Sequence, residues 1–499
     1  MRFKRLLLFV IILGYCSTVS AQFKLSGKVL DYNGKDELQI NIPLVFGFHK
    51  ENSINIPIAK DGSFNMLLPI KDTKFANLIY KRTFHTLLLN PSKNLSINLK
   101  DTILTLISGT ALAESKVMQK IDIEEYPFFL ENEGNNEFNN LSFAQLKEKV
   151  LKPYFAQRDE KIKTINSSTI PFKYKLLIAN EVKSIAYKYV NDYARTQVAN
   201  KLMVDSLVLE VFNNADIKPL VFPAGPQYFA FVDNYIRFLE TKAFVKIKTE
   251  KIKSNQPIPY FGISLDSANI IVKKYDKNYW RWIGVTHNFP LKIVEKYTYQ
   301  QLINLYNEKD IRPLEGLTKA YQQQFPQSNY YKQVNANLLS LKKILLENET
   351  NKGIKIFENF ESLSTMQEIV NSFKGKVVYL DIWGTWCGPC KDELTYVPQL
   401  KAKFKDKDIV FVYLDMDEDN QDQSWRDFIK VNNMEGIHLR KNRKTIEPFW
   451  KELLANAKDK AEYYPQYFIF DKEGNLVVTK AKRPSEKEAL YAQLADYLK

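Results

Sequence analysis

The sequence predicts a multidomain chain: a small all-β sandwich or barrel, then an all-α domain, then an α/β domain. Three observations carry this. Short apolar runs parted by turn dipeptides fill the first part of the chain. Apolar residues at helical spacing fill the middle, and the last part alternates strand-like and helix-like patterns. A length of 499 residues is also too great for one hydrophobic core. The hydrophobic share of 45% and charged share of 26% are those of ordinary folded protein.

Residues 1–21 stand apart. Arg2, Lys4 and Arg5 form a positive start, residues 6–13 are apolar, and Val19-Ser20-Ala21 is a small-residue cleavage signal before Gln22. This is the pattern of a secretory signal peptide, so export to the periplasm or cell envelope is expected. The apolar run is far shorter than the ~20 residues of a membrane span. Leu13-Gly-Tyr-Cys16 has the general form of a lipobox, but Tyr15 stands where such a box takes a small residue, so a lipoprotein through Cys16 is not expected. Removing the leader's three cations takes the net charge from +14 to +11. That charge is lysine-driven and spread out, with no basic cluster or motif, so no nucleic-acid partner is expected.

The β domain is expected over 22–110. Apolar stretches at 23–30, 38–45, 54–58, 64–68, 87–89 and 95–99 read as strands, and Asn33-Gly34 and Asp61-Gly62 are hairpin dipeptides. His49 and His85 lie here without the partners a metal site needs. The all-α domain is expected over 111–348. Ser142 and Gln145 form a capping-box signature. Tyr174, Ile178, Val182, Ile185, Tyr189 and Tyr193 keep helical spacing, as do Leu338, Leu341 and Leu345. These stripes read as core. The polar stretch 347–353, ending in Gly353, reads as a linker across which relative motion is expected.

The last domain, 354–499, carries the chemistry. The apolar run 377–380 reads as a buried strand ending at Asp381. Cys387 and Cys390 follow, and Cys390, Leu394, Val397, Leu400 and Phe404 keep helical spacing. A C-x-x-C at a strand-to-helix turn reads as a redox motif. Two intervening residues in a first helical turn bring both sulfurs within bonding distance. The unpaired N–H groups and dipole of the helix start favour a thiolate, which makes the sulfur nucleophilic. Pro389 sits where its missing N–H costs nothing. The chain has three cysteines in all, so after leader removal only this pair is left. A four-residue loop gains little stability from a bridge, so the pair is kept for chemistry.

Trp386-Cys-Gly-Pro-Cys390 resembles the active site of the thioredoxin fold. The longer string from Trp383 to Glu393 resembles the TlpA/ResA-like branch of exported bacterial thiol–disulfide oxidoreductases. The resemblance covers about the last 150 residues, and the β region resembles the small β domain often placed ahead of such domains. It implies a helix over 365–373, strands ending at Asp381 and over 409–414, an extra helix over 421–431, a closing hairpin over 466–470 and 476–480, and a last helix over 486–498. It also implies roles. Cys387 is the nucleophile and Cys390 the resolving thiol. Asp381 matches the buried acid that takes the Cys390 proton, and Glu393 the acid one helical turn beyond Cys390; a solvated first-turn acid is the plainer reading of Glu393. Pro465 matches the cis-proline, with the Tyr464 backbone open to an extended substrate, and Trp386 covers the disulfide. Trp383 reads as core. Two departures stand out. Thr395 replaces a proline common in relatives, with proline instead at Pro398, and Gln466 replaces the threonine that often follows the cis-proline.

The function so implied is reduction of disulfides in envelope proteins, with cytochrome c maturation among the processes served. The partners implied are thiol- or disulfide-containing envelope proteins and a membrane electron donor. No cofactor beyond the cysteine pair is expected, and no metal, because a zinc knuckle needs two further ligands and His287 and His438 are widely placed. The peroxidase pattern Pro-x-x-x-Thr/Ser-x-x-Cys is absent upstream of Cys387. A different class stays open: a partner- or ligand-binding envelope protein whose redox domain is accessory.

Overall fold

The computed structural model describes residues 22–131, 136–217 and 224–499. The expected signal peptide, with Cys16, lies outside these residues. Two compact units emerge, and neither is a continuous stretch of chain. The first holds the described residues up to 265 together with 281–300; the second holds 266–280 and 301–499.

The first unit begins with eight strands: β1 (Phe23–Val29), β2 (Leu38–Asn41), β3 (Ser53–Ile56), β4 (Ser63–Leu68), β5 (Lys74–Tyr80), β6 (Thr83–Leu89), β7 (Asn94–Lys100) and β8 (Ile103–Ser108). They form two four-stranded sheets, ordered β4-β1-β7-β8 and β3-β2-β5-β6. Phe23, Leu25, Leu95 and Ile97 of one sheet meet Leu38, Ile40, Leu78 and Leu87 of the other in a shared apolar core, so the domain is a sandwich. The sequence pattern missed β5 and β8. Their turns lack the glycine dipeptides, because Lys81, Arg82 and Asp101 themselves take positive φ (46°, 63° and 51°). The expected strand over 38–45 stops at Asn41.

Helices follow: α1 (Leu112–Lys120), α2 (Phe143–Leu146), α3 (Lys152–Ser167), α4 (Phe172–Thr196), α5 (Lys201–Asn213), α6 (Pro226–Thr249), α7 (Leu265–Asn288), α8 (Leu291–Asn307), α9 (Ile311–Gln324) and α10 (Tyr331–Glu347). The Ser142–Gln145 capping box forms. Along α4 the stripe packs inward at Tyr174, Ile178, Val182 and Tyr193, and is half-buried at Ile185 and Tyr189. Glu181 on the same helix is buried against the start of α6, where it accepts the Gln227 N–H at 3.0 Å; burial pushes its carboxyl up to about 8. The chain passes between the units within α7, which kinks at Asp276 (φ 69°, ψ 175°), and within α8.

The second unit centres on a six-stranded sheet. Its strands are β9 (Ile354–Ile356), β10 (Val377–Trp383), β11 (Ile409–Asp415), β12 (Gly436–Arg440), β13 (Gln466–Phe470) and β14 (Leu476–Val478). Their order is β14-β13-β10-β11-β12-β9, with β10, β11, β12 and β9 mutually parallel and β13 antiparallel to β10. This is the thioredoxin-like arrangement, with β9 and β12 added to the strands expected from sequence. The helices are α11 (Met366–Val370), α12 (Gly388–Leu394), α13 (Val397–Lys403), α14 (Asp422–Val431), α15 (Glu447–Leu453) and α16 (Glu488–Tyr497). Separate apolar clusters cover the two faces of the sheet. Trp383, Trp425 and Phe468 lie in one, and Tyr379, Leu400 and Leu490 in the other. All seven residues of β10 are buried.

The linker expected at 347–353 is tied down instead. Asn348 Nδ2 donates to the Lys430 carbonyl at 2.8 Å, Glu349 pairs with Lys430 at 2.8 Å, and Asn351 Nδ2 donates to Asn433 Oδ1 at 2.7 Å. The unit that holds the redox motif therefore takes in α9, α10 and 266–280 as well as 354–499. Polarity alone suggested a free tether, but the polar groups are spent on α14 and the turn after it. Limited proteolysis is accordingly expected to spare the 347–353 segment, as read by mass spectrometry of the first fragments. Early cleavage there would contradict these contacts.

Candidate active site

β10 carries the site to its C-terminal end. Its last polar residue, Asp381, lies between Tyr413 of β11 and Tyr467 of β13, and is only 4% exposed. Its Oδ1 makes no hydrogen bond. Burial, and after it the charge of Glu393, raises this carboxyl well above the usual range. A carboxylate in that state is a stronger base than one in water.

After Trp383 the chain turns through Gly384, Thr385 and Trp386. Asp417, just past β11, holds the turn: it accepts the Thr385 N–H at 3.2 Å and the Thr385 hydroxyl at 2.5 Å. Arg440 Nη1 donates to the Asp417 carbonyl at 3.0 Å and pairs with Asp419 at 2.9 Å. Beside it, Asp415 is fully buried and its carboxyl is raised well above the usual range, by burial first and by Asp417 second. The Trp386 indole N–H donates to the Met416 carbonyl at 3.2 Å. The indole lies so close to Gly384 that a Cβ there would sit 2.6 Å from Nε1.

Cys387 caps α12, and its Sγ accepts the Cys390 N–H at 3.2 Å. The two cysteines are joined as a disulfide (S–S 1.98 Å) and both are buried. The placement is what the motif needs: one sulfur accepts a first-turn N–H of the helix, and the other lies a turn deeper. Thr395 ends α12, and α13 opens after it with Pro398 in its first turn. The helix break thus sits at 395–396 without a proline at 395.

Trp386 is 54% exposed, and its ring meets Tyr464 edge to face at 5.3 Å. The Tyr464 hydroxyl accepts from Trp450 Nε1 at 3.3 Å. The Tyr464–Pro465 bond is cis, and Gln466 after it is buried with an unpartnered Oε1. Trp383 is wholly buried, as a core residue.

Glu393 departs from the plainer expectation. It is buried, and it accepts the Ser485 N–H at 2.9 Å and the Ser485 hydroxyl at 2.8 Å. It is therefore a tether between α12 and the turn before α16, not a solvated acid. Sequence reasoning missed Ser485, Thr385 and Asp417. Thr385 lay inside the motif, but partners many residues away leave no local signal. Lys391 is a further one: its ammonium lies 3.8 Å from Glu308 and over the Phe428 ring.

The Redoxin family model matches residues 364–494. The thiol-disulfide oxidoreductase ResA of Bacillus thuringiensis is 33% identical over 131 residues, which cover 26% of this chain and 66% of ResA, just under two thirds of its length. Rabbit (Oryctolagus cuniculus) thioredoxin is 38% identical over 61 residues, 12% of this chain and 56% of thioredoxin. Among solved structures, the thioredoxin domain of a Bacteroides vulgatus thiol-disulfide oxidoreductase is 22% identical, with 26% of this chain and 84% of that one covered and a TM-score of 0.22. The matched segment holds β10, the cysteine pair, the cis-proline strand and Glu393 with its partner. Residues 364–494 of this chain therefore fold as a thioredoxin-like domain and match the Redoxin family model.

Proposed function

We propose that the chain is an exported thiol–disulfide oxidoreductase that reduces disulfides in envelope proteins through Cys387 and Cys390. The observation that carries this is the pairing of the two cysteines at the start of α12, at the end of a strand that buries Asp381 without a hydrogen bond to Oδ1. The ResA relatives carry the same activity in their names, and the leader pattern at 1–21 supports export. No helix among the described residues is long and apolar enough to cross a membrane.

In the cycle, the reduced Cys387 thiolate attacks one sulfur of a substrate disulfide. A mixed disulfide forms, and the other substrate sulfur leaves as a thiolate. Cys390 then loses its proton to the Asp381 carboxylate and attacks Cys387. The second substrate thiol is released and the Cys387–Cys390 disulfide closes. Two electrons have passed to the substrate, so a membrane electron donor must return two electrons and two protons to the pair. Asp381 suits the proton step because desolvation strengthens its base. Tyr464 and Pro465 offer the edge on which an extended substrate pairs, and Trp386 limits approach to the sulfurs. Cytochrome c maturation is one process such a reductase would serve.

Thiol trapping of the mature protein in dithiothreitol and glutathione buffers is expected to give a two-electron midpoint near or below about −250 mV. A value of about −120 to −180 mV would overturn reduction in favour of oxidation or isomerisation. Absence of any two-electron transition would leave a partner-binding protein.

Asp381→Asn is expected to slow resolution of a trapped mixed disulfide about 10²-fold, by quenched-flow gel analysis. Its stability should move the other way. Below its raised pKa the folded protein holds a proton on Asp381 that the unfolded chain releases above about pH 4, and above it the carboxylate is the base of the cycle. Parent stability therefore falls as pH rises from there through the raised folded pKa. The neutral variant escapes that loss, so its urea midpoint should exceed the parent's at pH 8 by more than at pH 4. An equal difference at both pH values would mean that Asp381 is ionised in the fold.

A further inference from the structure

Within the second unit, a cleft of about 630 Å³ opens beside the redox turn. Its size falls in the ~300–1,000 Å³ range of ligand sites. One wall is the redox domain itself, through Thr385, Trp386, Lys391 and Phe428. The others are helical segments that the Redoxin match does not reach: Asn269 to Asn278 of the kinked α7, and Glu308 to Pro313 at the start of α9. The chain has thus built its own wall in front of the site.

The charges in this wall are unequal in a specific way. Six cationic and four acidic side chains line the cleft. The acids are engaged or partly neutralised. Glu308 faces Lys391 at 3.8 Å, Asp427 accepts from Gln423 at 2.8 Å, and Asp276 accepts the Lys277 N–H. Burial, with Asp276 and Glu308 nearby, pushes Asp310 up to about 7, against the pull of Lys391 and Arg312. The cations are freer. Lys273, Lys277 and Lys309 form no ion pair among the described residues, and Arg312 donates to the neutral Ser424 at 3.3 Å. The field in the cleft is therefore positive.

A second cleft of about 310 Å³ repeats this character. It runs along Tyr463 and Pro465, and its cations Lys480, Lys482 and Arg483 face the single acid Glu486. Trp386, in the wall of the first cleft, contacts Tyr464, the residue between Tyr463 and Pro465 of the second. A small thiol can occupy only one of these clefts at a time, whereas an extended chain running past Trp386 and Tyr464 can present charge to both.

We propose that these clefts select acidic polypeptide segments, with the substrate cysteine flanked by aspartate or glutamate. This rests on the oxidoreductase reading and names its substrate class. The side chains of α7 and α9 act as specificity determinants; they leave the cysteine chemistry alone.

The test uses the full mature chain. Fluorescein-labelled ten-residue peptides with one blocked cysteine, flanked by glutamates or by lysines, are titrated against the oxidised protein by anisotropy. The acidic peptide is expected to bind about tenfold tighter at low salt, with the preference fading as ionic strength rises. The triple variant Lys273→Glu, Lys277→Glu and Lys309→Glu should abolish or reverse the preference. Equal binding of both peptides to the parent at low salt would overturn the proposal without recourse to any variant. A parent preference that the triple variant leaves intact would overturn the role of this wall. Reduction of the small neutral 2-hydroxyethyl disulfide is measured in parallel and should be unchanged in the variant. If the parent cannot reduce it, the oxidoreductase reading fails, while the peptide titration still decides the clefts.

Discussion

A strand buried on both faces can offer its polar groups only at its end, and β10 is such a strand. Apolar clusters cover both sides of it, so everything reactive in the second unit is displaced to the turn after Trp383. Asp381 is the exception, a carboxyl left inside the sheet. The apolar packing that keeps β10 in place also strips water from that carboxyl and alters its affinity for a proton. Fold stability and site chemistry are set by the same burial here, and they pull in opposite directions.

The turn itself is held from outside the motif. Asp417 fixes Thr385, Arg440 fixes the Asp417 backbone, and Ser485 fixes Glu393 on the opposite side of α12. Each of these partners is buried or half-buried, so each hydrogen bond is shielded from competing water. The cysteines therefore sit on a short helix whose position is determined by groups from β11, β12 and the segment before α16. Short helices are not stable alone, and α12 depends on these ties.

Local signals were legible in the sequence and distant ones were not. The cysteine pair and its helix start could be read because each depends on neighbours within a few residues, and Asp381 and Pro465 because their positions match those that the thioredoxin resemblance implies. The Asn33-Gly34 and Asp61-Gly62 dipeptides marked turns but not hairpins, since each joins strands of different sheets, and β5 and β8 escaped because lysine, arginine and aspartate occupy positive φ in their turns. The all-β class was readable from the spacing of apolar runs, but the choice of a sandwich over a barrel was not. Glu393 was read as an acid one turn beyond Cys390, with a solvated acid as the alternative; its tie to Ser485 could not be read because Ser485 is far along the chain. The segment at 347–353 looked like a tether because polarity does not say whether a polar group meets water or another polar group.

The interleaving of the two units has a consequence for synthesis. A chain emerges from the ribosome N-terminus first, and domains tend to fold in that order. Residues 266–280 appear before 281–300 complete the first unit, so the second unit's earliest piece must wait without a partner while its neighbour finishes. The cysteines at 387 and 390 arrive later still, when every residue of the first unit is already made. Between residues 22 and 499 there is no other thiol to capture them. The absence of other thiols guards the pair against mispairing, and the order of emergence makes the kinked α7 segment the piece most exposed to a chaperone while the rest of its unit is still being made.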